Sequence, residues 1–203
     1  MTAAPDLRID HRHIARMADT VLAHHPSLRH AAEEGWVLWL TGLSGAGKST
    51  VSARLRELFH DASILAAFLD GDVLRAWFAA DAGHDHQTRL RLAQSYAALC
   101  QELAGRGINV VCSTISMFHS VRRWNRAHNR RYVEIYLRVP REELIRRDPK
   151  GLYARRDGKM IGIDTLFEEP DDPDLVIDNH GAMDAESAAE AILAMIAARK
   201  EDL

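Results

Sequence analysis

At 203 residues, with 47% hydrophobic and 27% charged side chains, the chain has the length and composition of one soluble domain with a buried core. A formal net charge of −3 argues against wholesale binding to nucleic acid or to an anionic membrane. No stretch approaches the roughly 20 apolar residues of a membrane span, and the opening MTAAPDLRIDHRH has no apolar signal core, so a cytoplasmic location is expected.

Residues 6–34, rich in Arg, His and Ala, predict one or two helices broken at Pro26, an N-terminal helical extension (1–34) ahead of a single domain (35–203). WVLWLT (36–41) predicts the first strand; a Gly-rich turn follows, and the next helix carries Val51, Leu55 and Leu58 on one face. ILAAFLD (64–70) predicts a second strand, then a helix from about Asp72, a loop at 81–87 and a longer helix from about Thr88 to Gly105. INVVCST (108–114), YVEIYLRV (132–139) and DLVIDN (174–179) predict three further strands, and ESAAEAILAMIAARK a closing helix with Asp184 as N-cap. Apolar strands alternating with helices imply an α/β fold, a five-stranded parallel sheet covered by helices on both faces. Ligands of such sheets gather at the carboxyl ends of the strands. Cys100 and Cys112 lie in apolar stretches without metal or redox spacing and read as buried thiols of a reducing compartment.

Gly42, Leu43, Ser44, Gly45, Ala46, Gly47, Lys48 and Ser49 fit G-x-x-x-x-G-K-[ST] between a strand and a helix, the pattern of a P-loop kinase or NTPase. Glycines let backbone N–H groups turn toward phosphate oxygens, and the helix N-terminus, which includes Thr50, adds favourable partial charge. Lys48 is expected to reach the β- and γ-phosphates of ATP, and the Ser49 hydroxyl to ligate Mg²⁺. No N-K-x-D guanine-reading motif is present, which disfavours GTP. At the second strand tip, Leu69-Asp-Gly-Asp-Val-Leu-Arg75 offers two carboxylates and an arginine: a base or metal-network carboxylate in Asp70 and Asp72, and an anion-holding Arg75. The plainer reading of that stretch is a helix start with Asp72 as its N-cap.

TGLSGAGKST (41–50), LDGD with Arg75, Arg89, Ile115-Ser116, RDPKGLY (147–153) and GID (162–164) followed by E-x-P run in the order of the adenylylsulfate (APS) kinase family, which the chain resembles over residues 35–180. The resemblance implies ATP-dependent phosphorylation of a nucleotide's ribose 3′-hydroxyl with Mg²⁺, and a homodimer formed through the N-terminal helices. It makes Asp72 the general base, with Asp70 assisting in the metal network. Arg75 and Arg89 would grip the acceptor's anionic end. Thr114, Ile115 and Ser116 would line the acceptor, Lys150 would act in the Asp-Pro-Lys-Gly element, and Arg147 would stand at the base of a lid spanning about 147–165, near the transferring phosphate.

The departures from the family gather on the acceptor side. Val73 replaces the Asn of DGDN, and Leu92 stands where the next helix has Asn. Thr114 and Met117 replace the Phe and Pro of Phe-Ile-Ser-Pro, and Met160-Ile161 stand where the lid has Phe-Thr. The first of the family's two adenine-clamping phenylalanines falls at Ala76, with Trp77 and Phe78 following. Losing a stacking partner costs about 1–3 kcal/mol per base. TISMF, Asn125-Arg126, Y-x-E-I-Y (132–136), EELI-x-RD (142–148) and the V-I-x-N end are similar to a divergent subgroup of the family that includes cytidine diphosphoramidate kinase. APS is therefore the nominal acceptor and a cytidine diphosphate derivative its rival. A non-catalytic nucleotide-binding regulator is a third possibility, against which Asp72, Arg75, Arg89 and Lys150 argue.

Other features read as structural. His11, His13, His24, His25 and His30 lack the spacing of a metal site, and His84-Asp85-His86 reads as a surface loop. Arginines 122, 123, 126, 130 and 131 read as a solvated helix face with one or two residues turned to substrate, not as a nucleic-acid patch. Trp36 and Trp39 read as core or dimer surface, and the C-terminal apolar stripe as packing.

Overall fold

A computed structural model of the chain describes residues 10–24, 33–79, 85–148 and 167–201. Five strands, β1 (Val37–Thr41), β2 (Ala66–Asp70), β3 (Asn109–Thr114), β4 (Tyr132–Arg138) and β5 (Leu175–Asp178), form one parallel sheet in the order β2-β3-β1-β4-β5. Seven helices accompany them among the described residues: α1 (His11–His24), α2 (Lys48–Asp61), α3 (Gly71–Ala79), α4 (His86–Gly105), α5 (His119–His128), α6 (Arg141–Arg147) and α7 (Ala185–Glu201). None of them is long and apolar enough to cross a membrane.

The strand period of two divides the apolar residues between two cores. Val37 and Trp39 of β1 face one cluster with Val110 and Cys112 of β3, the buried side of α4, and Ile14, Ala18 and Val21 of α1. Trp36, Leu38 and Leu40 face the other, with Val51, Leu55 and Phe59 of α2 and Ala188, Ile192 and Ile196 of α7. Every residue of β1 is buried because helices cover both faces, which is why its sequence is a continuous apolar run. Both tryptophans are thus core, at 5% and 0% exposure. Leu58 is only partly buried, and Cys100 and Cys112 are buried free thiols.

The helix expected from Thr88 begins two residues earlier, because Asp85 caps it by accepting from the Thr88 N–H at 3.0 Å. Asp184 caps α7 as expected, accepting from the Ser187 N–H at 2.8 Å. Asp10 caps α1 through the N–H groups of Arg12 and His13. The Pro26 break lies outside the described residues. One short helix, α6, was not marked by apolar period; Glu142 and Glu143 in its first turn and Arg146 and Arg147 in its last match the helix dipole.

Register brings the strand ends together: Thr41 pairs with Thr114 on one side and Tyr136 on the other, and Asp70 with Ser113. The sheet runs outward in opposite directions from β1, so the crevice beyond its carboxyl end is where ligands of such folds bind.

Candidate active site

The loop between β1 and α2 wraps on itself. The Ala46 N–H donates to Leu43 O at 3.1 Å, and the Lys48 ammonium donates to Gly42 O and Leu43 O at 2.8 and 2.9 Å. Gly47 is the N-cap of α2 at φ +87°, a conformation that disfavours any side chain, and no side chain caps this helix start. Ser49 and Thr50 are exposed at its first turn. The Val51 N–H is the donor to Gly47 O. The loop therefore presents a helix N-terminus, a lysine and a hydroxyl on one short stretch, the chemistry that receives phosphate oxygens.

Ser49 Oγ donates to Asp70 Oδ2 at 3.2 Å, so the donor loop and the β2 tip meet although β3 lies between their strands. Asp70 Oδ1 accepts from the Asp72 N–H at 2.8 Å. The helix-starting carboxylate is thus Asp70, not Asp72, and the Asp72 side chain is exposed at the start of α3. Gly71 permits this close approach: a Cβ there would lie 3.2 Å from both Ser113 O and Thr114 Oγ1. A hydroxyl and a carboxylate in contact are the hard oxygen donors that suit Mg²⁺, which keeps most of its remaining positions for water and phosphate.

Arg75 and Arg89 come near enough to interact, from α3 and α4. Burial, and then the like charge of Arg75, holds the Arg89 pKa below its usual value. Tyr96 of α4 is buried within reach of the Arg75 charge, its hydroxyl pushed to a higher pKa by that burial. Two guanidiniums that repel each other gain from an anion between them. At the β3 tip, Thr114 Oγ1 and Ser116 Oγ share a hydrogen bond of 2.8 Å and both side chains are buried. Ile115 O accepts from Thr41 Oγ1 at 3.4 Å, and Met117 is 2% exposed. This wall is buried. Phe78 meets His13 edge to face and Tyr96 at a tilt, while Trp77 is 43% exposed.

Arg147 ends α6 with its guanidinium fully directed: Nε to Glu143 Oε1 at 2.8 Å, Nη2 to Asn179 O at 2.8 Å and Nη1 to Gly45 O at 3.4 Å. Glu143 is pulled down to about 2 by Arg146 and Arg147. Lys150 and most of the expected lid lie outside the described residues. Asn179, which the motif reading did not single out as a site residue, donates through Nδ2 to Ala46 O at 2.7 Å.

The arginine-rich α5 differs from expectation. Arg122 is 3% exposed and faces Glu134 of β4 at 3.1 Å, so it is a buried ion pair and not part of a solvated face. Its Nη2 also donates to Glu168 O and Glu169 O at 2.9 and 3.2 Å. Arg126 pairs with Asp174 at 3.1 Å. Arg123 and Arg130 remain exposed. No group of His, Cys, Asp or Glu arranged to hold a metal ion by itself occurs among the described residues.

Comparison with known proteins places these features in context. Residues 34–178 match the family model for adenylylsulphate kinase. A probable adenylyl-sulfate kinase of Aeropyrum pernix is 38% identical over 154 residues, covering 72% of this chain and 84% of the relative. The cytidine diphosphoramidate kinase of Campylobacter jejuni is 36% identical over 166 residues, covering 80% of this chain and 96% of the relative. Among solved structures, the Mycobacterium tuberculosis APS kinase in complex with AMPPNP and APS superposes with a TM-score of 0.73 at 29% identity, covering 81% of this chain and 99% of that one.

Proposed function

The chain belongs to the adenylylsulphate kinase family, and from that premise we propose that it transfers the γ-phosphate of ATP to the ribose 3′-hydroxyl of a nucleotide acceptor. The observation that carries this reading is the 3.2 Å contact from Ser49 to Asp70. It joins the phosphate loop to the acidic tip of β2, so a donor phosphate and an acceptor hydroxyl would meet between them. The loop from Gly42 to Thr50 receives the phosphates, and Lys48 balances the charge that spreads over the transferring group. The Ser49 hydroxyl, with Asp70 near by, would hold Mg²⁺, which would supply further charge neutralisation on the phosphates.

Asp72, at the start of α3 next to the Ser49–Asp70 contact, accepts the proton of the attacking hydroxyl. Arg75 and Arg89 hold the acceptor's anionic group, their mutual repulsion relieved by it. Thr114, Ile115 and Ser116 form the wall beside the acceptor. Arg147 and Lys150 belong to the lid and its base. α1 (His11–His24) packs into the core of the kinase domain, and the working assembly is a homodimer in the cytoplasm.

APS is the nominal acceptor. A cytidine diphosphate derivative such as the phosphoramidate is the second reading, favoured by the buried Met117 and Thr114 in the acceptor wall and by the Campylobacter relative. The deciding experiment offers APS and cytidine diphosphoramidate side by side with ATP and Mg²⁺ and identifies the 3′-phosphorylated product. A high kcat/KM for APS with inert cytidine nucleotides removes the second reading. Slow ATP turnover unchanged by any acceptor would overturn the kinase reading in favour of a nucleotide-binding regulator.

A further inference from the structure

The glycines of the phosphate loop leave its orientation open. Gly45 and Gly47 sit at φ +80° and +87°, and glycine enters that region about as readily as its mirror image. On the Gly47 side, therefore, little steric restraint opposes turning over the Ala46–Gly47 peptide. What holds it lies 133 residues away: Asn179, just after β5, donates through Nδ2 to the Ala46 carbonyl at 2.7 Å. Asn179 is 7% exposed, and its main chain is fixed at both ends. Its N–H donates to Arg138 O at 3.0 Å, and its carbonyl accepts from Arg147 Nη2 at 2.8 Å. A Cβ added to Gly47 would lie 2.5 Å from Asn179 Nδ2, so the amide is pressed against the loop.

The described peptides are all trans, so the Gly47 N–H points opposite to the Ala46 carbonyl across one planar unit. We propose that Asn179 is a positioning residue for the nucleotide's phosphates. By drawing the Ala46 carbonyl toward the end of β5, it aims the Gly47 N–H to the other side of the loop, where a phosphate oxygen is received. With the peptide reversed, the loop would present a carbonyl oxygen to that phosphate, a repulsion in place of a hydrogen bond. The Ala46 N–H is already spent on Leu43 O, so the Gly47 N–H is the donor whose direction Asn179 decides. Arg147 extends the arrangement to the base of the lid, because one guanidinium holds both Asn179 O and Gly45 O. The inference rests on the P-loop reading proposed above and adds the residue that orients the loop.

The test is calorimetric titration of the full chain and its Asn179→Ala and Asn179→Asp variants with MgATP and with magnesium tripolyphosphate, which has no base or ribose. Wild type is expected to bind both, and each variant to lose about tenfold in affinity for both, the worth of one buried hydrogen bond. The near-isosteric Asn179→Asp keeps the test open if the alanine variant folds poorly. Its deficit relative to wild type should shrink at low pH, where a protonated carboxyl regains an O–H donor for Ala46. Unchanged tripolyphosphate affinity in both variants overturns the proposal. So does a loss confined to ATP, which would mark a contact with the base or ribose. Failure of wild type to bind either compound would overturn the P-loop reading itself, and this inference with it.

Discussion

Lys48 is held against the carbonyls of Gly42 and Leu43, so its charge is already at the loop that it serves. Lys48→Ala should abolish phosphoryl transfer in a coupled ATP assay, and near-normal turnover would remove the loop from the chemistry. Asp72→Asn keeps the shape of an exposed side chain while removing the base. It should lower kcat by about 10²–10⁴-fold with little change in ATP affinity, and parallel losses in both would show a binding role instead. Gly47→Ala meets two obstacles at once, a φ of +87° and an amide nitrogen 2.5 Å from the new methyl group. That variant should lose about 1–2 kcal/mol from the backbone conformation alone, with weakened nucleotide binding by titration. The motif spacing made this loop legible from sequence. Asn179 was not, because a hydrogen bond between residues 133 positions apart leaves no local pattern.

On α5 and just after it, the sequence shows five arginines close together and no partner for any of them. The helix and the neighbouring strand separate them by environment: Arg122 is buried against Glu134, Arg126 reaches Asp174, and Arg131 binds Glu33 and Glu34 O. Removing one member of a buried ion pair strands the other, so Arg122→Met should cost about 3–5 kcal/mol in a denaturant melt. Arg122→Met combined with Glu134→Leu should recover part of that loss, and a double variant no more stable than the single would sink the pair as the cause. Burial pushes the Glu134 carboxyl from 4.5 up to about 7, against the pull of Arg122 and Arg126. The folded state thus keeps a proton that the unfolded state releases, and stability from this group falls as pH rises from about 4.5 to 7. Glu134→Gln should flatten that part of the stability profile; an unaltered slope would assign it to other groups. Partner choice of this kind is invisible in YVEIYLR, where an acidic residue inside an apolar run reads only as an exception.

For the molecule as a whole, α1 is the informative case. A leader rich in Arg and His reads as separate from the domain, yet Ile14, Ala18 and Val21 enter the same core cluster as β1, β3 and α4. Ile14 is 3% exposed, and Ile14→Ala should cost about 2–5 kcal/mol. Differential scanning calorimetry should show a single transition shifted to lower temperature. A split transition, with the main peak unmoved, would make α1 an independent appendage. A homodimer built on the N-terminal helices would have to use the face of α1 opposite these three residues.

The sequence by itself determined the alternation of apolar strands and helices, the parallel sheet that follows from it, and the loop Gly42–Thr50 with its lysine and hydroxyl. These are local: period, glycine and charge act within a few residues of where they are written. Only the tertiary structure decided that Asp70, not Asp72, holds the start of α3, that Arg122 is buried with Glu134, and that Asn179 bonds the Ala46 carbonyl. Each of these depends on which strand lies beside which, and a polar side chain takes its role from the partner that packing brings within hydrogen-bond reach.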